Sequence, residues 1–98
     1  MMNKKELTWE DVKEKLEFTP EEMAEIQLEE DLIKATVEAR KNKNLSQRDL
    51  SEKAGIKQPA IARIESRVNS PSANTLIKLL YPMGYTIRVV PLNEEIKK

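Results

Sequence analysis

The chain has 98 residues, enough for one small domain with an appended segment, and 35% charged residues with only two glycines favour long helices over a β-sandwich. It contains neither cysteine nor histidine, which excludes a disulfide framework and removes the commonest metal ligands. The net charge is zero, but residues 1–33 hold 4 Lys and 11 Asp or Glu, whereas residues 34–98 hold 13 Lys or Arg and 6 Asp or Glu. Two halves of charge −7 and +7 predict two different partners, and the basic half suits a polyanion.

Residues 1–30 are predicted to form an acidic helical segment. Thr8 is placed to cap a short helix that runs to Leu16, because Trp9, Val12 and Leu16 then share one face at helical spacing. Two of the four aromatic residues of the chain lie in this segment, and aromatic side chains often anchor protein interfaces.

A second helix start follows at Thr19. This residue suits the N-cap position, Pro20 suits the first helical position, and Glu22 completes a capping box. The apolar spacing then continues to about Lys43 without Gly or Pro. It fits either one helix or two helices that separate near the acidic run 29–31.

Residues 31–84 have the pattern of a four-helix bundle. Asn44 suits a left-handed C-cap of the first helix, Ser46 can cap the second, and Gly55 supplies the left-handed residue of a tight turn before the third. The apolar positions that face each other when the second and third helices cross are Leu50, Ala54, Ile56, Ile61 and Ile64. A fourth helix, capped by Ser72, closes the bundle. Its predicted core positions are Leu76, Ile77, Leu79 and Leu80.

The residues after Gly84 alternate in a β-rich pattern, so we predict a strand over 85–92 and a polar tail over 93–98. A single strand cannot satisfy its own backbone groups, and no second strand is predicted in the chain. The same strand from a second copy is the expected partner, which predicts a homodimer. The predicted interface positions are Tyr85, Ile87 and Val89.

The third helix has an outer face suited to the major groove of DNA. Steps of about 100° per residue place Ile61 and Ile64 toward the core. The residues on the opposite side are Gln58, Pro59, Ala62, Arg63 and Ser66. Gln58 and Arg63 are the candidate base-contacting residues, because Gln can pair bidentately with adenine and Arg with guanine. Lys57 is placed to reach a base or a phosphate.

Phosphate contacts are predicted around this face. Gln47 begins the second helix, where it can contact a phosphate together with backbone amides. Further candidates at the edges are Arg48, Arg67 and Asn69. Glu65 would be unfavourable near phosphates unless paired, so we predict a structural ion pair with Arg40. Each polar residue alone is most simply a solvated surface side chain. Their coincidence with helix-turn-helix spacing and a basic half favours DNA binding.

This central stretch resembles the XRE family of helix-turn-helix regulators. The matching residues lie within 31–84 and are Leu45, Ser46, Gln47, Leu50, Ala54, Gly55, Gln58, Ile61, Ala62, Arg63, Ile64, Glu65, Pro71, Thr75 and Leu76. The resemblance implies that Gln47 contacts the DNA backbone and that a pair such as Arg40 and Glu65 braces the fold. It places four residues against base edges: Lys57, Gln58, Pro59 and Arg63. Relatives often carry Gly at the position of Arg67, so the conformation of that loop is open.

The whole layout resembles HigA-type antitoxins of bacterial type II toxin–antitoxin modules. The resemblance rests on Trp9-Glu10 and Thr19-Pro20-Glu21-Glu22 in an acidic leader, on Glu38-Ala39-Arg40-Lys41, and on a closing strand after Met83-Gly84-Tyr85. It implies that the chain neutralises a HigB toxin, a RelE-like ribonuclease that cuts mRNA on the ribosome. It also implies that the chain represses its own operon by binding operator DNA.

A ribonuclease partner is expected to be basic, which matches the acidic N-terminal segment. The predicted toxin-contacting residues are Trp9, Val12, Leu16 and Phe18. The alternative is that these side chains fold back on their own domain, and the alternative function is a stand-alone XRE-family transcriptional regulator without a toxin. We expect no enzyme, cofactor or small-molecule substrate, because the carboxylates lie on solvated helical faces without a nucleophile or metal ligands. No signal peptide or membrane-length apolar run is recognisable, so we expect a cytoplasmic protein without membrane contact.

Overall fold

Four α-helices make up the part of the chain that the computed structural model describes, residues 17–92. They are α1 (Pro20–Asn42), α2 (Gln47–Ala54), α3 (Gln58–Glu65) and α4 (Ala73–Leu80), and a 3-10 turn (Tyr81–Met83) follows α4. The chain divides into two compact units, residues 1–30 and residues 31–98. Within residues 17–92, none of the helices combines the length and the apolar character that a membrane crossing requires. The all-helical class predicted from the sequence is confirmed for this part.

A reciprocal capping pair starts α1 in the first unit. The backbone N–H of Thr19 donates to Glu22 Oε1 at 2.9 Å, and the backbone N–H of Glu22 donates to Thr19 Oγ1 at 3.1 Å. Both amides would otherwise lack a partner at the helix start, so the capping box predicted from the sequence is confirmed. The short helix predicted between Thr8 and Leu16 lies outside the described residues.

The end of α1 is set by Asn44. The helix is uninterrupted from Pro20 to Asn42, so the alternative of a single helix is the correct one. Asn44 adopts a left-handed conformation with φ of 58°, and its backbone N–H donates to the Lys41 carbonyl at 3.0 Å. The N–H of Leu45 donates back to the Arg40 carbonyl at 3.1 Å. These two bonds form a Schellman motif, and the predicted left-handed C-cap is confirmed.

The core of the second unit is built around α2, which packs against α3, α4 and the 3-10 turn. Leu50, Ile61 and Leu79 are the most deeply buried side chains, with at most 1% of their surface exposed. The other buried apolar residues of this core cluster are Ile33, Ala39, Ile64, Leu80 and Met83. Ala54 and Ile56 are half-buried against the cluster, so the predicted meeting of α2 and α3 through their apolar positions is confirmed.

One predicted core position of α4 is wrong. Ile77 is 45% exposed, although Leu76, Leu79 and Leu80 are buried as expected. The buried residues of α4 and the 3-10 turn, from Leu76 to Met83, follow the spacing i, i+3, i+4 and i+7, which defines one stripe of a helix. Ile77 lies one residue beyond the start of that stripe and therefore points toward solvent.

The predicted C-terminal strand is not formed in the described chain. Gly84 is left-handed with φ of 88°, and the N–H of Tyr85 donates to the Leu80 carbonyl at 3.1 Å to close the end of the 3-10 turn. Residues 85–91 are neither helical nor part of a sheet. A strand is stabilised by hydrogen bonds to a neighbouring strand, and residues 17–92 contain none that pairs with it.

Candidate nucleic-acid interface

The helix-turn-helix itself is fixed by contacts at both ends of α2. The N–H of Asp49 donates to Ser46 Oγ at 2.9 Å, and the N–H of Ser46 donates to Asp49 Oδ2 at 3.0 Å. Hydrogen bonding to the Asp49 carboxyl from the backbone N–H of Ser46, and then from the Ser46 side chain, holds the pKa of that carboxyl below its usual value. At the other end, Gly55 has φ of 73°, and Ser51 Oγ donates to the Ile56 carbonyl at 2.5 Å. The angle between α2 and α3 is therefore set by local bonds.

The hydrogen bonds at the two ends of α2 orient α3 so that its outer face is exposed to solvent. Ile61 and Ile64 are buried below it. The exposed residues along the face are Gln58, Pro59, Arg63 and Ser66, with Lys57 exposed at the N-cap position. Pro59 lies in the first turn of α3, where a missing amide proton costs no helical hydrogen bond. Within the described residues, Arg63 and Lys57 make no side-chain hydrogen bond, so both remain available to a ligand.

Arg40 and Glu65 form a bidentate ion pair at the base of this face. Arg40 Nε donates to Glu65 Oε2 at 2.7 Å and Arg40 Nη2 donates to Glu65 Oε1 at 2.8 Å, while Arg40 Nη1 caps the Leu45 carbonyl at 2.8 Å. Each of the two charged side chains is only 11% exposed. Burial opposes ionisation of Glu65, but hydrogen bonds from Arg40 and Gln47 outweigh it and lower the pKa of Glu65. The hydrogen bond to Glu65 raises the pKa of Arg40.

Gln47 connects this ion pair to the outer face of α3. Its Nε2 donates to Glu65 Oε1 at 2.9 Å, and its Oε1 accepts a hydrogen bond from Gln58 Nε2 at 2.7 Å. One chain of hydrogen bonds, here called the relay, therefore consists of Arg40, Glu65, Gln47 and Gln58. The pair of Arg40 and Glu65 was predicted from the sequence, but the two bonds of Gln47 were not. Their partners are 18 and 11 residues away along the chain and meet Gln47 where α2 crosses α3.

The predicted phosphate-contacting residues lie around the same face. Arg48 is exposed in the first turn of α2, and Asn69 is exposed in the loop after α3. Arg67 ends α3 with φ of 67°, the conformation in which glycine is most favourable, and its Nη1 donates to the Glu65 carbonyl at 2.5 Å. The N–H groups of Arg67 and Val68 donate to the carbonyls of Ile64 and Arg63, which forms a second Schellman motif.

The remaining predicted site residues lie toward the two ends of the chain. Trp9, Val12 and Leu16 are outside the described residues, and Phe18 is half-buried. Of the predicted dimer positions, Ile87 is half-buried against the core, Tyr85 is 44% exposed and Val89 is 98% exposed. Lys43 Nζ lies 5.9 Å from the centre of the Tyr85 ring, a cation–π distance.

Comparison with known proteins places this architecture in a family. The helix-turn-helix family model HTH_3 matches residues 38–89, and the chain belongs to that family. An uncharacterized HTH-type transcriptional regulator of Haemophilus influenzae is 40% identical over 84 residues, which are 86% of this chain and 85% of that protein. A chain from a solved toxin–antitoxin module of Streptococcus pneumoniae is 38% identical, with a TM-score of 0.65, over 88% of this chain and 94% of that one.

Proposed function

We propose that this chain is the antitoxin of a bacterial type II toxin–antitoxin module. In this role it binds a HigB/RelE-like mRNA-cleaving toxin and represses its own operon by binding operator DNA as a homodimer. The observation that carries the DNA-binding part is the relay, which holds Gln58 at the exposed start of α3. Lys57 and Arg63 flank it on the same helix, and their side chains make no hydrogen bond within the described residues. The antitoxin part is supported by the likeness to a chain of the Streptococcus pneumoniae toxin–antitoxin module over most of both chains.

Base recognition would use the hydrogen-bonding groups of Gln58 that the relay does not occupy. Gln58 gives one N–H to Gln47 and keeps its side-chain carbonyl oxygen and a second N–H. An amide with one donor and one acceptor free matches N7 and the N6 amino group of adenine in the major groove. Arg63 lies about one and a half turns further along α3, where its fork of donors suits O6 and N7 of guanine.

Backbone contacts position this face on the duplex. Lys57, Arg48, Arg67 and Asn69 surround the start and end of α3, where they can contact phosphates. In a homodimer paired through Tyr85, Ile87 and Val89, two copies of α3 would contact successive major grooves about 34 Å apart. The operator is then a palindrome.

Toxin binding is assigned to the N-terminal segment. Residues 1–33 carry a net charge of −7, which favours association with a basic ribonuclease. The proposed anchors are Trp9, Val12, Leu16 and Phe18. The cytoplasm, where mRNA and operator DNA are both found, is the proposed location.

The test is co-expression with the small gene adjacent to this one, followed by size analysis of the purified material and a gel shift on the upstream DNA. We expect a small basic protein to co-purify and the upstream DNA to shift as a discrete complex. The Haemophilus influenzae relative is described as a transcriptional regulator, which favours a stand-alone regulator as the second candidate. A chain that shifts its operator but has no co-purifying partner would support this second function.

A further inference from the structure

An apolar groove lies open beside the segment that follows Gly84. It has a volume of about 370 Å³ and runs between the second half of α1 and residues 85–88. The apolar side chains that line it are Leu32, Ala35, Ala39, Leu80 and Ile87. Leu80 and Ala39 belong to the core cluster, so the floor of the groove is continuous with the core.

The residues just beyond the groove carry apolar side chains that their own copy does not cover. Val89 is 98% exposed, Leu92 is 75% exposed and Val90 is 45% exposed. All three therefore present apolar surface to solvent at this end of the described range. In a single copy the side chain of Val89 stays in water and contributes no hydrophobic stabilisation.

The backbone in this region is equally without partners. The N–H of Tyr85 bonds to Leu80, but the N–H groups of residues 86–90 make no hydrogen bond within the described part of the chain. Together with the β-rich alternation of 85–90, this leaves an edge that another strand can pair with.

We propose that Val89 occupies the groove of a second copy of this chain, and that the second copy returns the same contact. The inference rests on the homodimer of the proposed function and specifies how its two copies interlock. Antiparallel pairing about a two-fold axis at Ile87 sets Val89 opposite Tyr85 of the partner subunit. Alternate residues share a strand face, and Ile87 faces the core of its own copy. Val89 therefore faces the groove-bearing side of the partner.

A second copy of the chain would cover both the open groove and the exposed Val89. Val89 lies two residues, roughly 7 Å of extended chain, beyond Ile87 and so past the surface of its own copy. Tyr85 lines the groove, and the antiparallel register places Val89 of the second copy opposite Tyr85. The contact is isologous, so it closes at two copies and does not continue into a fibre.

The decisive variant fills the groove without touching the strand. Ala35→Arg adds a long charged side chain at an exposed position of the groove wall, and we expect the dimer dissociation constant to rise at least tenfold in sedimentation equilibrium. Ala73→Arg makes the same change at an exposed position outside the groove and should leave the constant unchanged. Val89→Asp should weaken the dimer as much as Ala35→Arg, whereas Val68→Asp, at a residue 70% exposed elsewhere, should not.

A cross-linking experiment locates the contact directly, because the chain contains no cysteine. Separate Ala35→Cys and Val89→Cys chains are mixed and treated with a short bismaleimide. We expect cross-linked dimers in the mixture and few in either variant alone. A wild-type dimer that Ala35→Arg leaves intact, and that does not cross-link in the mixture, overturns the groove contact while the homodimer stands. A monomeric wild type overturns both, whereas toxin and operator binding are judged by their own assays.

Discussion

Glu65 is the residue on which two roles converge. It accepts hydrogen bonds from Arg40, which braces the fold, and from Gln47, which orients the amide of Gln58 that we propose contacts a base. The three hydrogen bonds that Glu65 accepts are strongest when its carboxylate is charged. Stability and recognition are therefore tied to one ionisation.

The first prediction concerns acid stability. Because the pKa of Glu65 is lowered in the folded chain, its stabilising contribution is fully present above the unfolded pKa of about 4.3 and is lost as the pH falls toward the folded pKa. Glu65→Gln should reduce the free energy of unfolding by about 1–3 kcal/mol at pH 7. The variant should also lose less stability than the wild type between pH 5 and pH 3, as measured by urea denaturation.

Two controls sharpen this test. Glu52→Gln changes an exposed glutamate of α2 and should leave the pH profile close to that of the wild type. Asp49 also has a lowered pKa, so the acid slope of Glu65→Gln should shrink but not vanish. Equal acid slopes in Glu65→Gln and wild type would refute the assignment to Glu65.

Arg63 tests the recognition face. Arg63→Ala should cost about 1–3 kcal/mol of specific operator affinity, because it removes the proposed bidentate donor to guanine and a positive charge. Arg63→Lys keeps the charge but loses the fork, so it should retain non-specific affinity and lose sequence discrimination. Fluorescence anisotropy with operator and scrambled duplexes measures both. Toxin binding should be unchanged, and its loss together with operator binding would show that Arg63 acts on the fold.

At the scale of the elements, the helix ends are where sequence and structure agree best. Thr19, Ser46 and Ser72 accept the predicted N-terminal hydrogen bonds, and Asn44 takes the predicted left-handed position. These signals are local, since each depends on residues within a few positions of one another. Prediction from sequence alone is therefore dependable here.

The features that the sequence analysis missed or predicted wrongly depend on contacts between distant residues. The exposure of Ile77 depends on which stripe of α4 meets α2, and apolar spacing alone allowed it in the core. The bond between Gln47 and Glu65 depends on the crossing of two helices. The strand over 85–92 depends on a neighbour that the described chain does not contain. The spacing of apolar residues describes one helix or strand at a time, so it cannot predict contacts between elements.

The end of α3 holds a non-glycine residue in the left-handed conformation. Arg67 adopts φ of 67° at the position where a Schellman motif favours glycine. Arg67→Gly should raise the free energy of unfolding by up to about 1 kcal/mol, because it removes the steric cost of a side chain in the left-handed region. It should weaken operator binding, since the proposed phosphate contact of Arg67 is lost. Thermal denaturation and a gel shift measure the two effects, and a destabilised variant would show that the Arg67–Glu65 hydrogen bond matters more than the backbone.

For the whole molecule, the proposed separation of the two binding activities can be tested by truncation. Removal of residues 1–18 should weaken toxin binding strongly, because it removes all four proposed anchors. Operator binding should persist, since the proposed DNA-contacting residues lie between Gln47 and Asn69. The deleted part holds 4 Lys and 5 Asp or Glu, so a loss of toxin affinity reports the apolar anchors more than the charge. Isothermal titration with the toxin and a gel shift give the two readings, and full neutralisation by the truncated chain would remove the leader from the mechanism.

The order of residues along the relay determines which of them can be replaced without disturbing the fold. Gln58 is the terminal member, so its replacement frees only the exposed oxygen of Gln47, which water can satisfy. Replacing Gln47 would take a donor from a nearly buried carboxylate and disturb the framework itself. If Gln58 contacts a base as proposed, the outermost amide can therefore be exchanged for other side chains and the operator preference can change, while the inner members of the relay stay fixed.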